Sequence, residues 1–398
     1  MDLNWLKPLL GRPAPFTTVY IDATPAEAAG SSESSDRWKA VRRELEHQGA
    51  PTAVLDEIGD RVARPARVAG SHGRVLIADA EGVRVDRVLA EPPAQSLAVC
   101  GPAPALLPAA RAADESTRYL LVEVDRLGAD LTWSEGSGLV GPPMESIEGG
   151  HDVLHKTHDG GTSQRRLATR AEDSWERNAQ VVAAELDRVV GRRHPELVLL
   201  TGDVRAVALV RDAVGQRVRE MLIEVPGGSR ADGIKQEVFA ARVAKALADH
   251  RTRRRELVLD LFRTQQGRGG SAVTELGDVV DVLRRGQVRE LVLAESVAGA
   301  SSPLAERELW VGPEPLQVAL SRADLATMGV EEGARTLRAD IALMRAALGQ
   351  DAGLTFAEDG AVDLVDGVGA LLRWNDGSTP RESVLSQSGD RSRLRNSV

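Results

Sequence analysis

Three imidazoles fall within eight positions, His151, His155 and His158, and directly after them runs Asp159-Gly160-Gly161-Thr162-Ser163-Gln164-Arg165-Arg166-Leu167. Histidines at this spacing suit zinc or another transition metal. No cysteine lies nearby to complete a site, and Asp152 and Asp159 are generic acids, so no metal is expected. Ser163 with His158 and an aspartate has the residue types of a hydrolase, but the strand-turn-helix elbow of a nucleophilic serine is missing. Partial protonation of the imidazoles beside the glycine pair would instead favour RNA phosphates. Adjacent glycines open backbone angles closed to other residues and let the chain approach a crowded surface. Arg165, Arg166 and Arg170 follow where the chain turns helical, with planar multi-donor heads suited to phosphate. The bland alternative is a turn capping the next helix through Thr162 or Ser163. In that case the arginines form a solvated face paired with Glu172, Asp173 and Glu176.

A second basic run, His250-Arg251-Thr252-Arg253-Arg254-Arg255, is the densest positive patch of the chain. On a helix these arginines face several directions, so phosphate binding and a solvated, acid-paired face stand as equal alternatives. Gly267-Arg268-Gly269-Gly270 lacks the Lys-Ser ending of a phosphate loop and reads as a flexible connection. Arg391, Arg393 and Arg395 belong to a basic tail of a common, uninformative kind.

The elements that must position these residues are built without many aromatic rings. Aromatic residues make up 3% of the 398, so cores must come from Val, Leu, Ala and Ile, and base-stacking platforms are not expected. A formal charge of −9 argues against indiscriminate duplex binding and leaves only local RNA contact; no DNA partner is expected. Cys100 is the only cysteine, which excludes an internal disulfide. The opening Met1-Asp2-Leu3-Asn4-Trp5-Leu6-Lys7-Pro8 lacks a secretion pattern and no run has membrane-spanning length, so a cytoplasmic protein with no membrane partner is expected.

Strand and helix patterns alternate, which predicts an α/β fold with mixed sheets and packed helices. The first domain, residues 1–114, has a strand at Phe16 to Ala23 and helices marked by Trp38, Val41, Leu45 and by Val54, Ile58, Val62. A hairpin turns around Ala80-Glu81-Gly82, and Pro92, Pro93, Pro102, Pro104 and Pro108 predict an exit linker. A middle domain, 115–232, carries strands at Arg118 to Val124, Ala129 to Trp133, Pro195 to Asp203 and Met221 to Val225, with the glycine loop at 159–166. The third, 233–376, opens with a helix from about Ile234 to Gln265. It continues through a helix at Asp278 to Leu283, a strand at Val288 to Ala294 and a helix through Leu337, Ile341, Leu343 and Leu348, and closes with a strand at Val368 to Trp374. The polar, Ser- and Arg-rich tail, 377–398, is expected to be disordered.

From Tyr119 to Trp374 this order of elements resembles the middle and C-terminal domains of the archaeal and eukaryotic class I release factors and of Pelota, in a bacterial branch. Family release factors read Gly-Gly-Gln-Ser at the loop. Here Gly160, Gly161, Ser163 and Arg166 match, Leu167 replaces an aromatic residue, and Thr162 stands in place of the glutamine. Ala231-Asp232-Gly233-Ile234-Lys235-Gln236 enters the long helix, and Asp366-Gly367-Val368-Gly369-Ala370-Leu371-Leu372-Arg373-Trp374 resembles the closing strand. The first domain lacks the Asn-Ile-Lys-Ser loop that inspects stop codons. The resemblance therefore implies a three-domain ribosome occupant of the hibernation-factor kind, with no cofactor, filling the aminoacyl site of idle ribosomes against 23S and 16S rRNA. His158, Gly160, Gly161, Thr162, Ser163, Gln164, Arg165, Arg166 and Arg170 would enter the peptidyl transferase centre, and Arg251, Arg253, Arg254 and Arg255 would make a secondary RNA contact. It also implies elongation factor Tu as a partner. The alternative is a rescue factor that still promotes peptidyl-tRNA hydrolysis through a water positioned by the backbone at Gly161 and Thr162.

Overall fold

The computed structural model describes residues 3–24, 31–64, 71–89, 91–93, 95–136, 143–148, 162–230, 236–267, 270–298, 304 and 306–380. The chain divides into two compact units, one built from residues up to 66, from 71–114 and from 252 onward, the other from 115–251.

The first unit opens with a short 3-10 turn, Asn4–Leu9, that buries Leu6 and Leu9. Strands β1 (Phe16–Asp22), β2 (Gly73–Asp79), β3 (Gly82–Leu89) and β4 (Leu97–Gly101) form an antiparallel sheet in the order β3-β2-β1-β4. The β2-β3 hairpin turns at Gly82, whose φ of +124° lies where side chains are strained. Helices α1 (Ser31–His47) and α2 (Thr52–Ala63) cover one face of the sheet through Val41, Leu45, Leu55 and Ile58. The expected proline linker is instead structure. β4 pairs with β1, and α3 (Leu107–Glu115) follows it. The prolines flank the strand at Pro93 and Pro102, and Pro108 sits in the first turn of α3, where a helix has no use for its N–H.

The second unit holds a mixed sheet, β5 (Thr117–Val124), β6 (Gly128–Gly136), β7 (Glu145–Glu148), β8 (Leu197–Gly202) and β9 (Leu222–Glu224), ordered β7-β6-β5-β8-β9. β5, β8 and β9 run parallel, and the long helix α4 (Thr162–Arg193) makes the crossover to β8. Ala179, Val182, Leu186 and Val190 of α4 pack with Leu120, Val122, Val198 and Leu200 on one face, joined by α5 (Val204–Ala213) and α6 (Gln216–Met221). The other face takes Phe239, Val243 and Leu247 from α7 (Gln236–Gly267).

α7 continues into the first unit, where Leu259 and Phe262 pack on Val292 and Leu371. β10 (Ala272–Thr274), α8 (Leu276–Arg284), β11 (Val288–Ala294), β12 (Glu308–Val311), β13 (Val318–Ala319), α9 (Arg322–Thr327), β14 (Arg335–Arg338), α10 (Ala339–Gly349), β15 (Gly353–Ala357) and β16 (Val368–Leu372) complete it. These make a four-stranded sheet, β10-β16-β11-β15, and a small one, β13-β12-β14. Leu337, expected on a helix, lies instead in β14 opposite Leu309, and the helix begins at Ala339. Pairing with β12 overrides the helical spacing of Leu337 with Ile341. Residues of β1, α3, α8, α10 and β11 share one apolar core, so the N-terminal and C-terminal thirds of the chain form one packed body. The expected polar tail also starts with order. Thr379 is buried, its hydroxyl accepts from Gln287 at 2.9 Å, and Asp376 accepts from the N–H and hydroxyl of Ser378. Residues 381–398 lie outside the described residues. The fold is α/β with mixed sheets and packed helices.

Candidate functional site

The loop singled out by its residue types enters α4. His151, His155, His158, Gly160 and Gly161 lie outside the described residues. The backbone of Thr162, Ser163, Gln164, Arg165, Arg166 and Arg170 forms the first turns of α4, with Thr162 its first residue and Arg166 and Arg170 one turn apart. About 18 Å of helix separates Thr162 from Ser174, at 1.5 Å per residue. From Ala179 onward α4 packs on the sheet.

Trp175 is 6% exposed, and two guanidiniums lie over its indole, Arg126 at 4.5 Å and Arg205 at 5.5 Å from the ring centroid. Arg126 follows β5, and Arg205 stands in the first turn of α5. Asp203 joins them, because its carboxylate accepts from the N–H groups of Arg205 and Ala206 at 3.0 and 3.2 Å as the cap of α5 and pairs with Arg126 at 3.3 Å. One turn along α4 from Trp175, Asn178 donates to the Arg126 carbonyl at 3.0 Å. Gly202 makes the close approach possible, since its φ is +131° and a side chain there would strike the Val124 carbonyl at 1.8 Å. Beside this, Arg230 bridges Asp125 at 3.0 Å and Asp130 at 3.2 Å, and burial together with the Asp130 charge raises the Glu123 carboxyl above its usual range. The Gly202-Asp203 pair before an apolar helix was the signal for the cap, whereas the Arg126–Trp175–Arg205 stack joins positions far apart in sequence.

The arginine run on α7 is divided. Arg251 donates to the Glu115 carbonyl, and Arg254 donates to the Asp114 carbonyl at 2.8 Å and carboxylate at 3.0 Å. Arg255 reaches the same carboxylate at 3.3 Å and Glu295 at 3.7 Å. Carbonyls at a helix C-terminus lack intrahelical partners and carry partial negative charge, so guanidiniums settle there readily. Three of the four arginines thus cap α3 or pair with acids, and Arg253 is exposed. Among the described residues no group of His, Cys, Asp and Glu has metal-holding geometry, and no helix is long and apolar enough to cross a membrane.

Residues 118–268 match the model of the bacterial archaeo-eukaryotic release factor family 2, a span that contains the glycine pair, all of α4 and α7 through its last turn. Over this span the chain is similar to that family. It is also 28% identical to the uncharacterized protein Rv2629 of Mycobacterium tuberculosis strain H37Rv, over 94% of this chain and 96% of that protein. Among solved structures it is similar to the archaeal translation termination factor aRF1, at 15% identity and a TM-score of 0.23 over 93% of this chain and 96% of that one. The Dom34 protein of S. cerevisiae, a translation termination-like factor, gives 10% identity and a TM-score of 0.38, covering 78% of this chain and 81% of its own. Ribosome-bound archaeal Pelota gives 12% identity and a TM-score of 0.35, covering 93% of each chain.

Proposed function

We propose that this release-factor-like chain binds the ribosome as a translation factor and occupies the aminoacyl site of idle or stressed ribosomes without releasing peptide. The observation that carries this reading is the family match spanning a Gly160-Gly161 pair that is followed by Thr162, not glutamine. Threonine is short and branched and has no amide to help a water attack an ester. A rigid helix behind the loop suits occupancy, because binding by fit and a few arginine-phosphate contacts needs no catalytic group. In this reading Arg165, Arg166 and Arg170 meet 23S rRNA, and an acidic chain of formal charge −9 restricts the contact to that locality. Elongation factor Tu would deliver the chain, which would act in dormancy or stress in the cytoplasm.

The test pairs two measurements on purified ribosomes carrying peptidyl-tRNA. Cosedimentation without peptide release supports occupancy. Release that disappears in Gly161→Ala would show a rescue factor instead, and no cosedimentation at low salt would remove the ribosome as a partner. Arg165→Ala with Arg166→Ala should weaken binding and reduce the salt slope by roughly 2 if both side chains meet phosphates. Unchanged binding would take them out of the contact.

A further inference from the structure

In the first unit a cavity of about 260 Å³ opens among the segments around Leu10, Phe16, Pro104, Pro313, Arg335 and Ile341. Its walls are mostly apolar, yet three arginines border it. Arg12 is balanced, pairing with Asp79 and Glu81. The other two are not. Arg345, on α10, is 8% exposed, and among the described residues its guanidinium donates only to backbone carbonyls, those of Gly312 at 2.9 Å, Pro313, and Pro315 at 3.4 Å. Arg335, on β14, is near enough for its charge to act on Arg345, and no carboxylate among the described residues lies within ion-pairing distance of either. Burial and the neighbouring Arg335 charge pull Arg345 down to about 10, with Glu314 opposing weakly. A buried cation beside a second cation and without an ion-paired carboxylate is costly in an isolated protein. The cost falls when an anion enters.

We propose that this cavity binds a small organic phosphate monoester, its phosphate held by Arg335 and Arg345 and its apolar body against Leu10, Phe16 and Ile341. Two positive charges with no ion-paired carboxylate match a phosphate dianion, where a carboxylate ligand would balance only one. Guanidinium N–H groups make charge-assisted bonds to phosphate oxygens, and Arg345, whose Nη atoms donate to three carbonyls, keeps its Nε–H without a partner among the described residues for one such bond. The volume falls just below the roughly 300–1,000 Å³ of pockets for drug-sized ligands, so the ligand is fragment-sized. This site is independent of the ribosome-binding reading.

Calorimetric titration of the full chain tests it with four probes: phenyl phosphate, inorganic phosphate, benzoate and benzyl alcohol. Phenyl phosphate should bind saturably. Inorganic phosphate lacks the apolar body and benzoate lacks the second charge, so each should bind at least tenfold more weakly, and benzyl alcohol should not bind. Arg335→Gln preserves the β12-β14 backbone pairing and should weaken phenyl phosphate at least tenfold, with Arg335→Lys between it and the native chain. Arg253→Gln should leave affinity unchanged. Absence of saturable phenyl phosphate binding, a preference below tenfold over benzoate or inorganic phosphate, or a loss below tenfold in Arg335→Gln overturns the proposal. If a variant does not fold, the ranking of probes on the native chain decides.

Discussion

Two arginine pairs in the same unit differ in what surrounds them. Arg254 and Arg255 sit one residue apart on α7 and share the carboxylate of Asp114, itself 6% exposed. Arg335 and Arg345 are ten positions apart, on β14 and α10; Arg345 donates to backbone carbonyls, and the charge of Arg335 acts on it. In the sequence the dense run stands equally for phosphate binding and for an acid-paired face, and in the fold three of its four arginines cap α3 or pair with acids. The dispersed pair has no sequence signature, and folding leaves it with net positive charge. Local charge density therefore reports poorly on which cations remain available, because a helix C-terminus or a buried acid consumes them.

The largest effect should come from removing the shared acid. Asp114→Ala leaves Arg254 and Arg255 partly buried without their carboxylate, and urea unfolding should show a loss of about 3 kcal/mol, near the low end for breaking a buried pair because both guanidiniums keep some water. A loss under about 1 kcal/mol would erase the contrast between the two pairs.

A smaller, pH-dependent effect belongs to Asp79, the acid that balances Arg12 at the cavity rim. Burial disfavours its charge, but bonds from Arg84, Arg12 and the Glu81 N–H outweigh that and hold its carboxyl at about 2. Its folded value lies below the unfolded one, so its contribution is present above about pH 4 and is lost as pH falls towards 2. With its side chain 1% exposed, the contribution is roughly 2 kcal/mol. Asp79→Asn should lower stability by that amount at pH 7, and the difference from the native chain should shrink on acid titration. A difference independent of pH would assign the loss to packing.

Within the dense run, Arg254→Ala removes bonds to both the carbonyl and the carboxylate of Asp114 and should cost about 1.5 kcal/mol. Arg253→Ala, exposed on the same turn, should stay within about 0.5 kcal/mol. Equal losses would mean that the run acts as a diffuse charge and not through individual contacts.

Much of the fold was legible because it rests on local pattern. The alternation at Arg74 to Val88 gives the β2-β3 hairpin. The apolar run within Pro195 to Asp203 gives a strand, found as β8. β4 was hidden behind prolines, because its pairing with β1 is a contact across some eighty residues. The sheet β13-β12-β14 escaped notice because its strands are short and close only against one another. At the candidate site the residue types around Gly160 and Gly161 were visible from spacing, whereas the anchor of that helix was not.

By itself, the sequence determined the alternation of helix and strand and the absence of an amide at Thr162, since backbone periodicity and side-chain identity are properties of neighbouring residues. The tertiary structure alone decided that Arg126 and Arg205 both lie over the Trp175 ring, that Asp114 takes up Arg254 and Arg255, and that Arg335 and Arg345 border one cavity with no ion-paired carboxylate among the described residues. Charge compensation and desolvation depend on distances between residues remote in the chain, and only the packed fold sets those distances.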